Sequence, residues 1–471
     1  MNPALSSATE TVPSSSVVLL LAVTVWIAVV LASIVISPMV LLSSVLVVPA
    51  ICFLRPAALP YLLLLAICAT GLLVVSNSEL GAGLASAGLF HVTFADAVLL
   101  AALVAEAARK LVWGSPWLPW SRIDTGLCAV TAATLISAVF ALDRGTGFVA
   151  VVQTVEFWIL ARIIAQGLER LESALAFYRF FVAVALGELA LGLVQYLFAD
   201  AAAGREPLMA GTLGSPYLFG LLLGWAAMIA YTQLLAKPRP LHQWAWVAAF
   251  ICLIAGLLLS GKRSQWLALT ATILVLTATR WSRRTAAAVL LFIAIAAASL
   301  SLPPVRETVA GKIEQALRYE EIGTQGYARY RLVQTCWQLF VANPWLGIGP
   351  KNFRAVSERY IASRETGGYS ALATEQWPLG KLAEQGVVGY AAFLYLMYVL
   401  LQQSFQVMRR QPLDRVTVTL FAFFVYITAE LGEWFATERG HINFIFIGLL
   451  MAATYRGSPS ARPQAVDGDL A

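Results

Sequence analysis

A succession of long apolar segments constrains the fold of this chain more than any other feature. Roughly fourteen segments approach the length of about 17 to 25 residues that crosses a bilayer as a helix. Segments such as Val17 to Ile36 are apolar nearly all round, whereas a helix of a water-soluble protein keeps a polar face. With 59% hydrophobic and 12% charged residues, the chain has too little polar surface to solvate a globule. We therefore predict an all-α polytopic membrane protein with about 12–14 transmembrane helices.

The predicted spans divide the chain into five parts. They lie near 17–37, 39–54, 58–75, 93–110, 124–141, 146–166, 175–198, 215–235, 243–260, 264–279, 285–302, 386–406, 415–431 and 441–456. Residues 1–16 then form a cytoplasmic tail, 17–303 a block of transmembrane helices, 304–385 a large loop with short helices, 386–456 the C-terminal transmembrane helices, and 457–471 a disordered cytoplasmic tail.

Charge in the short connections predicts the orientation, because Lys and Arg accumulate in short cytoplasmic loops. Every second connection is basic. The basic residues are Arg55, Arg109, Lys110, Arg122, Arg162, Arg170, Lys237, Arg239, Arg280, Arg283, Arg284, Arg409, Arg410, Arg415, Arg456 and Arg462. Both termini are therefore predicted in the cytoplasm. The loop 304–385 is predicted to face outward and is the expected place for chemistry.

Two groups of basic residues on the predicted outer side are candidate anion sites. Lys262 and Arg263 occupy a hinge of about four residues between two spans, where positive charge is disfavoured, and charge placed against this rule commonly has an anionic partner. Arg329 and Arg331 precede a helix predicted from Leu332 to Val341, and both helix N-termini and guanidinium groups suit phosphate. Contact with lipid headgroups and a salt bridge to Glu320 or Glu321 are the alternative roles.

Acidic residues and a histidine gather at the outer ends of the last two spans. Glu430 and Glu433 lie one helical turn apart and could line a sugar-accepting cavity or pair with a loop arginine. His441 is a candidate base or an interfacial packing residue. The turn Gly347-Ile348-Gly349-Pro350, followed by Lys351, is predicted to end a helix, and it lacks the context of a nucleotide-binding loop. The cysteine spacing predicts neither a disulfide framework nor a metal site.

Several motifs, taken in order, resemble those of the bacterial O-antigen ligase and Wzy-type polysaccharide polymerase superfamily. They are Gln195-Tyr196 through Arg205 to Gly211-Thr212-Leu213-Gly214-Ser215-Pro216, then Ser260-Gly261-Lys262-Arg263, Arg329, Pro344-Trp345-Leu346-Gly347-Ile348-Gly349-Pro350-Lys351-Asn352-Phe353, and Leu382-Ala383-Glu384-Gln385-Gly386-Val387-Val388-Gly389. The resemblance covers roughly residues 190 to 400, and it implies a GT-C-like membrane glycosyltransferase of the bacterial inner membrane with a periplasmic active site.

The resemblance implies an undecaprenyl-diphosphate-linked oligosaccharide as donor and a glycan acceptor, with neither metal nor other cofactor and no nucleic acid. Chain-length regulators and export proteins are further partners that it suggests. The resemblance implies that Arg263 and Arg329 engage the diphosphate, and Arg331 and Lys262 are further candidates for binding it. Arg205 and Lys351, like Glu430, Glu433 and His441, are candidates for an additional site. Family members commonly have a histidine nine residues before the Glu of the L-A-E-x-G motif, and this register holds Glu375 here.

Glu375 is accordingly the candidate base, since inverting transfer needs a group that removes the proton of the acceptor hydroxyl. The missing histidine, together with the absence of a feature diagnostic of a lipid A acceptor, favours a Wzy-like polymerase. An O-antigen ligase and a transporter or flippase for lipid-linked glycans are the alternatives. Because polar residues gather on one side instead of threading the spans, the pattern favours an enzyme over a transporter.

Overall fold

Every element in the described part of the computed structural model is helical. The structure describes residues 51–52, 54–76, 94–113, 118–168, 172–198, 209, 211–213, 215–235, 240–279, 325–353, 356, 377–410, 414–430 and 437–456, with isolated positions between 289 and 314. The long helices are α1 Leu59–Ser76, α2 Phe94–Trp113, α3 Arg122–Val139, α4 Arg144–Gly167, α5 Glu172–Phe198, α6 Pro216–Leu235, α7 Pro240–Leu259, α8 Arg263–Thr279, α9 Gln325–Ala342, α10 Trp377–Arg410, α11 Arg415–Glu430 and α12 Thr437–Arg456.

These helices confirm the predicted all-α polytopic architecture. Within the described residues, five helices are long and apolar enough to cross a membrane. They are 122–139, 144–167, 173–197, 216–235 and 378–410, and shorter apolar helices accompany them. The spans predicted near 17–37 and almost all of 39–54 lie outside the described residues. The orientation of the termini and the five-part division of the chain stay predictions.

Two helix starts differ from those predicted. The helix expected from Leu332 begins at Gln325, so Arg329 and Arg331 lie inside α9 and not ahead of it. The helix expected from residue 386 begins at Trp377. In α10 the regular helix breaks at Gly386, where φ is 61° and ψ is −166°, a conformation essentially restricted to glycine. The apolar pattern resumes there, which explains why hydropathy placed the start at this residue.

Among the described residues, helix packing brings the helix ends next to the connections that are predicted to face outward to one end of the bundle. The closest partners are α12 with α4, α10 with α3, α7 with α6, and α8 with α11. Pairs of aromatic rings fill the interior, among them Tyr178 stacked on Phe446 at 5.9 Å. At the opposite end, the Asp124 carboxylate on α3 accepts hydrogen bonds from Trp158 and Arg162 on α4, both shorter than 3 Å. We call the first end the outer-loop end.

The outer loop has a small core of its own, distinct from the core of the helix bundle. Leu332, Cys336 and Leu339 form one face of α9 and pack with Ile348, Phe353, Val356 and Ala383. Leu332, Cys336 and Leu339 are spaced four and three residues apart, which places them on one face of the helix. The described part of the loop, α9 and the turn that follows it, therefore packs as a unit on the first part of α10.

We predict that Cys336 is inert to thiol reagents in the folded protein. Burial, with a further contribution from Glu384, raises the pKa of this thiol to about 12. Because the thiolate is the reactive form, only about one thiol in ten thousand is ionised at pH 8. Maleimide labelling followed by peptide mass spectrometry should find Cys336 modified only after denaturation. The control is Ala342→Cys, because Ala342 is exposed at the end of the same helix, and this thiol should label rapidly in the native protein. Equal labelling rates at the two positions in the native protein would contradict the packed loop core.

Candidate functional site

A polar cluster lies where α6, α8 and α11 meet, at the end of the bundle that is predicted to face outward. We call it the outer polar cluster, and it consists of Tyr217, Lys262, Gln265, Tyr426 and Glu430. The amide nitrogen of Gln265 donates to Oε1 of Glu430 at 2.7 Å, and the hydroxyl of Tyr217 donates to the same oxygen at 3.1 Å. Tyr426 donates to Oε1 of Gln265 at 2.6 Å. The tyrosine thereby orients the amide of Gln265, so that its nitrogen faces the carboxylate.

Two glycines of α6 allow the cluster to close. A Cβ added to Gly220 would lie 2.6 Å from Cγ of Lys262, and one added to Gly224 would lie 1.9 Å from the hydroxyl oxygen of Tyr426. With Tyr217, these glycines occupy positions three and seven residues apart, which is one face of the helix. At the two glycines this face presents only backbone, so Lys262 and Tyr426 approach it closely there. Glu430 is only 6% exposed, so this carboxylate is held by the cluster and not by bulk water.

The hinge before α8 carries Lys262 of this cluster and the backbone of Arg263. Gly261 has φ of +67°, and the chain turns there from α7 into α8 within the three residues 260–262. The Lys262 carbonyl accepts the backbone N–H of Gln265 at 3.1 Å, so the lysine borders the first turn of the helix. Arg263 is the first residue of α8. Its backbone position lies between Lys262 and Gln265, while its side chain lies outside the described residues.

We predict that Gly224→Ala disrupts the cluster through Tyr426. The new methyl group would collide with a rigid ring hydroxyl, displace it from Gln265 and cost about 1–3 kcal/mol of folding free energy. The double variant Gly224→Ala/Tyr426→Phe lacks the colliding oxygen and should recover part of that loss. Thermal unfolding of the purified protein in detergent measures the cycle. If the loss of folding free energy in the double variant equalled the sum of the losses in the two single variants, this contact would not limit the packing.

The glycine-rich turn and the start of α10 form a second, interlocked unit. We call residues 344–353 and 383–388 the turn unit. Backbone hydrogen bonds of 3.2 Å or less join its two segments of chain. The Ile348 N–H donates to the Ala383 carbonyl, and the Gly349 N–H donates to the Glu384 carbonyl. In the other direction, the Val388 N–H donates to the Trp345 carbonyl. The turn unit therefore confirms the predicted tight turn.

The turn unit is anchored to the junction of α3 and α4. The Leu142 N–H donates to the Ile348 carbonyl at 3.0 Å, and the Asp143 N–H donates to Oδ1 of Asn352 at 2.7 Å. On the other side, the carboxylate of Glu384 accepts the backbone N–H of Phe353 at 3.1 Å. This carboxylate ties the turn to α10.

The other predicted site residues are distributed around these two units. Lys351, with a positive φ of 60°, donates from Nζ to the side-chain oxygen of Gln153 on α4. Arg331 donates to Gln334, one turn farther along α9, at 3.0 Å. His441 is fully buried, and its ring meets that of Phe157 edge-on at 5.1 Å. Its surroundings are those of a packing residue in the α4 and α12 interface.

Several predicted residues have no described side chain. Glu375, Arg205 and Glu433 lie outside the described residues, and only the backbone of Arg329, within α9, is described. The structure thus brings Lys262, Glu430 and the backbone of Arg263 together, while a shared arginine clamp and the role of Glu375 stay predictions. Sequence reasoning missed Tyr217, Gln265 and Tyr426. The available signal was a polar side chain at the outer end of an otherwise apolar span.

The comparisons with known proteins agree with the motifs. Residues 248–394 match the family model described as O-antigen ligase. The match begins within α7, ends within α10, and includes Lys262, Gln265, α9 and the turn unit, whereas Tyr217, Tyr426 and Glu430 lie outside it. No curated protein matches the sequence. The match confirms the resemblance predicted from the motifs, over about a third of the chain.

Proposed function

We propose that this membrane protein, related to O-antigen ligases, is a glycosyltransferase that polymerises undecaprenyl-diphosphate-linked repeats on the periplasmic side of the bacterial inner membrane. One observation carries the proposal: the residues that match the family model supply side chains and backbone at the outer-loop end of the bundle. The matched residues contribute Lys262 and Gln265 to the outer polar cluster and build the whole turn unit. Cations and a fixed carboxylate at a membrane surface suit a lipid diphosphate and a sugar acceptor.

In the proposed reaction, an acceptor hydroxyl oxygen attacks the anomeric carbon of the donor. The bond between that carbon and the diphosphate oxygen breaks, and undecaprenyl diphosphate leaves with the bonding electrons. Lys262, Arg263 and Arg329 stabilise the charge that gathers on the departing diphosphate. Attack from the face opposite the leaving group inverts the configuration. No step of this transfer is assigned to a metal or another cofactor.

Glu375 is the proposed base and takes up the hydroxyl proton of the acceptor. We expect Glu375→Gln to lower product formation about 100-fold or more, because an amide cannot accept this proton at neutral pH. The matched control is Glu358→Gln, which makes the same change at another glutamate of the outer loop and should keep nearly normal product. Quantified surface polysaccharide at matched protein level is the readout. Full product from Glu375→Gln would remove the glutamate from the mechanism.

Glu430 has a different proposed role from that of Glu375. Its Oε1 already accepts hydrogen bonds from Gln265 and Tyr217, so the carboxylate is held in one orientation beside the hinge cations. We propose that it lines the acceptor side of the site and, with Glu433, orients sugar hydroxyls. Arg205, Arg331 and Lys351 are proposed to add positive potential around the diphosphate.

O-antigen ligase activity is the second candidate, because the matched family model is described as O-antigen ligase and the match does not distinguish ligase from polymerase. Deletion of the gene separates the possibilities. Surface polysaccharide reduced to single repeat units supports the polymerase, whereas unattached lipid-linked polymer supports the ligase. Accumulation of lipid-linked repeats in the cytoplasmic leaflet would support a flippase and contradict the proposal. Restoration of the original polymer by the intact gene is the required control.

A further inference from the structure

A fully buried carboxyl group, that of Glu188, lies in the second half of α5 and holds a short buried turn of the connection to α6. This segment is the 3-10 turn Gly211–Leu213, which is itself buried among α1, α5 and α6. The backbone N–H of Thr212 donates to Oε2 of Glu188 at 2.7 Å. The hydroxyl of Thr212 lies within hydrogen-bonding distance of Oε1 of Glu188 and, at 2.8 Å, of the Cys68 carbonyl on α1.

The number of protons in this group of atoms indicates the state of Glu188. The Thr212 hydroxyl has one proton to donate, and the carbonyl of Cys68 can only accept. If the threonine donates to Cys68, the remaining contact between the hydroxyl oxygen and Oε1 needs a proton from the carboxyl group. A neutral Glu188 satisfies all three contacts, because its O–H donates to Thr212 and its other oxygen accepts the Thr212 N–H. If Glu188 were ionised, its Oε1 and the Cys68 carbonyl would compete for the single hydroxyl proton of Thr212. The carboxylate charge would then be incompletely compensated inside the membrane, which is costly.

The turn is fixed from a second side by Gln195. Its amide nitrogen donates to the Gly211 carbonyl and its amide oxygen accepts the Gly211 N–H, both at 2.9 Å. Gly211 has φ of +59°, and a Cβ there would lie 2.3 Å from Oε2 of Glu188. The carboxyl group therefore occupies the space that any other side chain at this position would need.

The turn leads directly into the outer polar cluster. Five residues after Thr212, the first turn of α6 presents Tyr217, which donates to Glu430. The Phe219 N–H donates to the Ser215 carbonyl at 3.0 Å, so helical geometry begins immediately after the turn. A displacement of the turn would move the start of α6, and with it the hydroxyl of Tyr217.

We propose that Glu188 is a protonated, neutral positioning residue that sets the start of α6 and thereby places Tyr217 against Glu430. The inference rests on the proposed function, because it concerns the geometry of that site. Glu188 itself touches no substrate in this proposal. A variant that loses the hydrogen bonds between Glu188 and Thr212 is expected to lower glycan transfer because Tyr217 moves. It should not act through acid–base chemistry of the carboxyl group.

Infrared spectroscopy of the purified protein in detergent at pH 7 tests the protonation state. The difference spectrum between the natural protein and Glu188→Gln should contain the carbonyl stretching band of a protonated carboxylic acid, shifted in D₂O. The matched control is Glu106→Gln, since Glu106 is a buried glutamate whose carboxylate pairs with Arg109 at 3.0 Å and Lys110 at 3.6 Å. That variant should remove no such band. A Glu188→Gln difference spectrum with only carboxylate bands overturns the proposal.

Complementation of the deletion strain tests the positioning role. Glu188→Gln can donate from its amide nitrogen to Thr212 and accept with its oxygen, so surface polysaccharide should stay within about twofold of normal. Thr212→Val, which keeps the shape but loses the hydroxyl, should lower it about tenfold at equal protein level, and Thr212→Ser should restore it. Loss of product in Glu188→Gln at normal protein level would contradict the neutral role. If gene deletion left the polysaccharide unchanged, the proposed function would fail, while the infrared result would still decide the state of Glu188.

Discussion

Replacing either Arg263 or Arg329 with alanine is expected to lower glycan transfer about 100-fold to 1,000-fold, the range seen when a preorganised group that stabilises developing charge is removed. Arg263 opens α8 beside Lys262 and Gln265, so its backbone is already placed at the outer polar cluster. Arg329 lies within α9, which packs on α10. Surface polysaccharide in the deletion strain, normalised to protein level, is the measurement.

Matched substitutions separate a specific role from a general loss of positive charge. Arg144→Ala is the control, because Arg144 is an exposed arginine at the same end of the bundle, at the start of α4. It should keep nearly normal product. Arg263→Lys should fall between the natural protein and alanine, since lysine keeps the charge but not the two-pronged donor of arginine. If both alanine variants made normal product at normal protein level, the proposed diphosphate clamp would be wrong.

Gly386→Ala is expected to destabilise the junction between the outer loop and α10 by about 3 kcal/mol or more, the sum of a glycine-only backbone conformation and a steric overlap. A Cβ at this position would lie 2.3 Å from the carbonyl carbon of Trp345. The contact is with backbone, so no side-chain rotation relieves it. A Cβ at Gly347 would meet the backbone of Glu384 equally closely, so the two segments of the turn unit are in direct backbone contact. Moving them apart would break the hydrogen bonds that join them.

Limited proteolysis and thermal unfolding in detergent would measure this effect. Gly386→Ala should be cleaved rapidly in the outer loop and unfold at a lower temperature, and surface polysaccharide should fall with it. Gly311→Ala is the control, because a Cβ there meets no atom within 4 Å. We expect that variant to stay within about 0.5 kcal/mol of the natural protein. Equal stability of the two variants would show that the backbone contact at Gly386 is not required.

Hydropathy alone predicted most of the helices, because a bilayer imposes a length and an apolar surface that can be counted along the chain. The helix predicted near 215–235 is Pro216–Leu235, and that predicted near 264–279 is Arg263–Thr279. The pattern was less informative where helices do not span. The start of α9 at Gln325 was missed because its first residues are polar, and residues 377–385 of α10 were assigned to the loop for the same reason.

The candidate site could be predicted only as a set of separate residues. Lys262 and Arg263 were singled out because positive charge is disfavoured on the predicted outer side, and Glu430 because a carboxylate in a membrane span indicates a functional role. Their proximity depends on Gly220 and Gly224, which let Lys262 and Tyr426 approach α6. Gln265 and Tyr217 give only a weak signal in the sequence, since an isolated amide or phenol at a helix end is common.

The apolar spans, their alternating basic connections and the ordered motifs of residues 190–400 are local properties, so the sequence by itself determined the membrane class, the expected orientation and the family resemblance. The tertiary structure decided which polar groups meet. Glu188 and Thr212 stand 24 residues apart and Gln265 and Glu430 stand 165 apart, and no local pattern encodes either pair. Only helix packing converts scattered polar residues into one arrangement, because each must find a hydrogen-bonding partner where water is excluded.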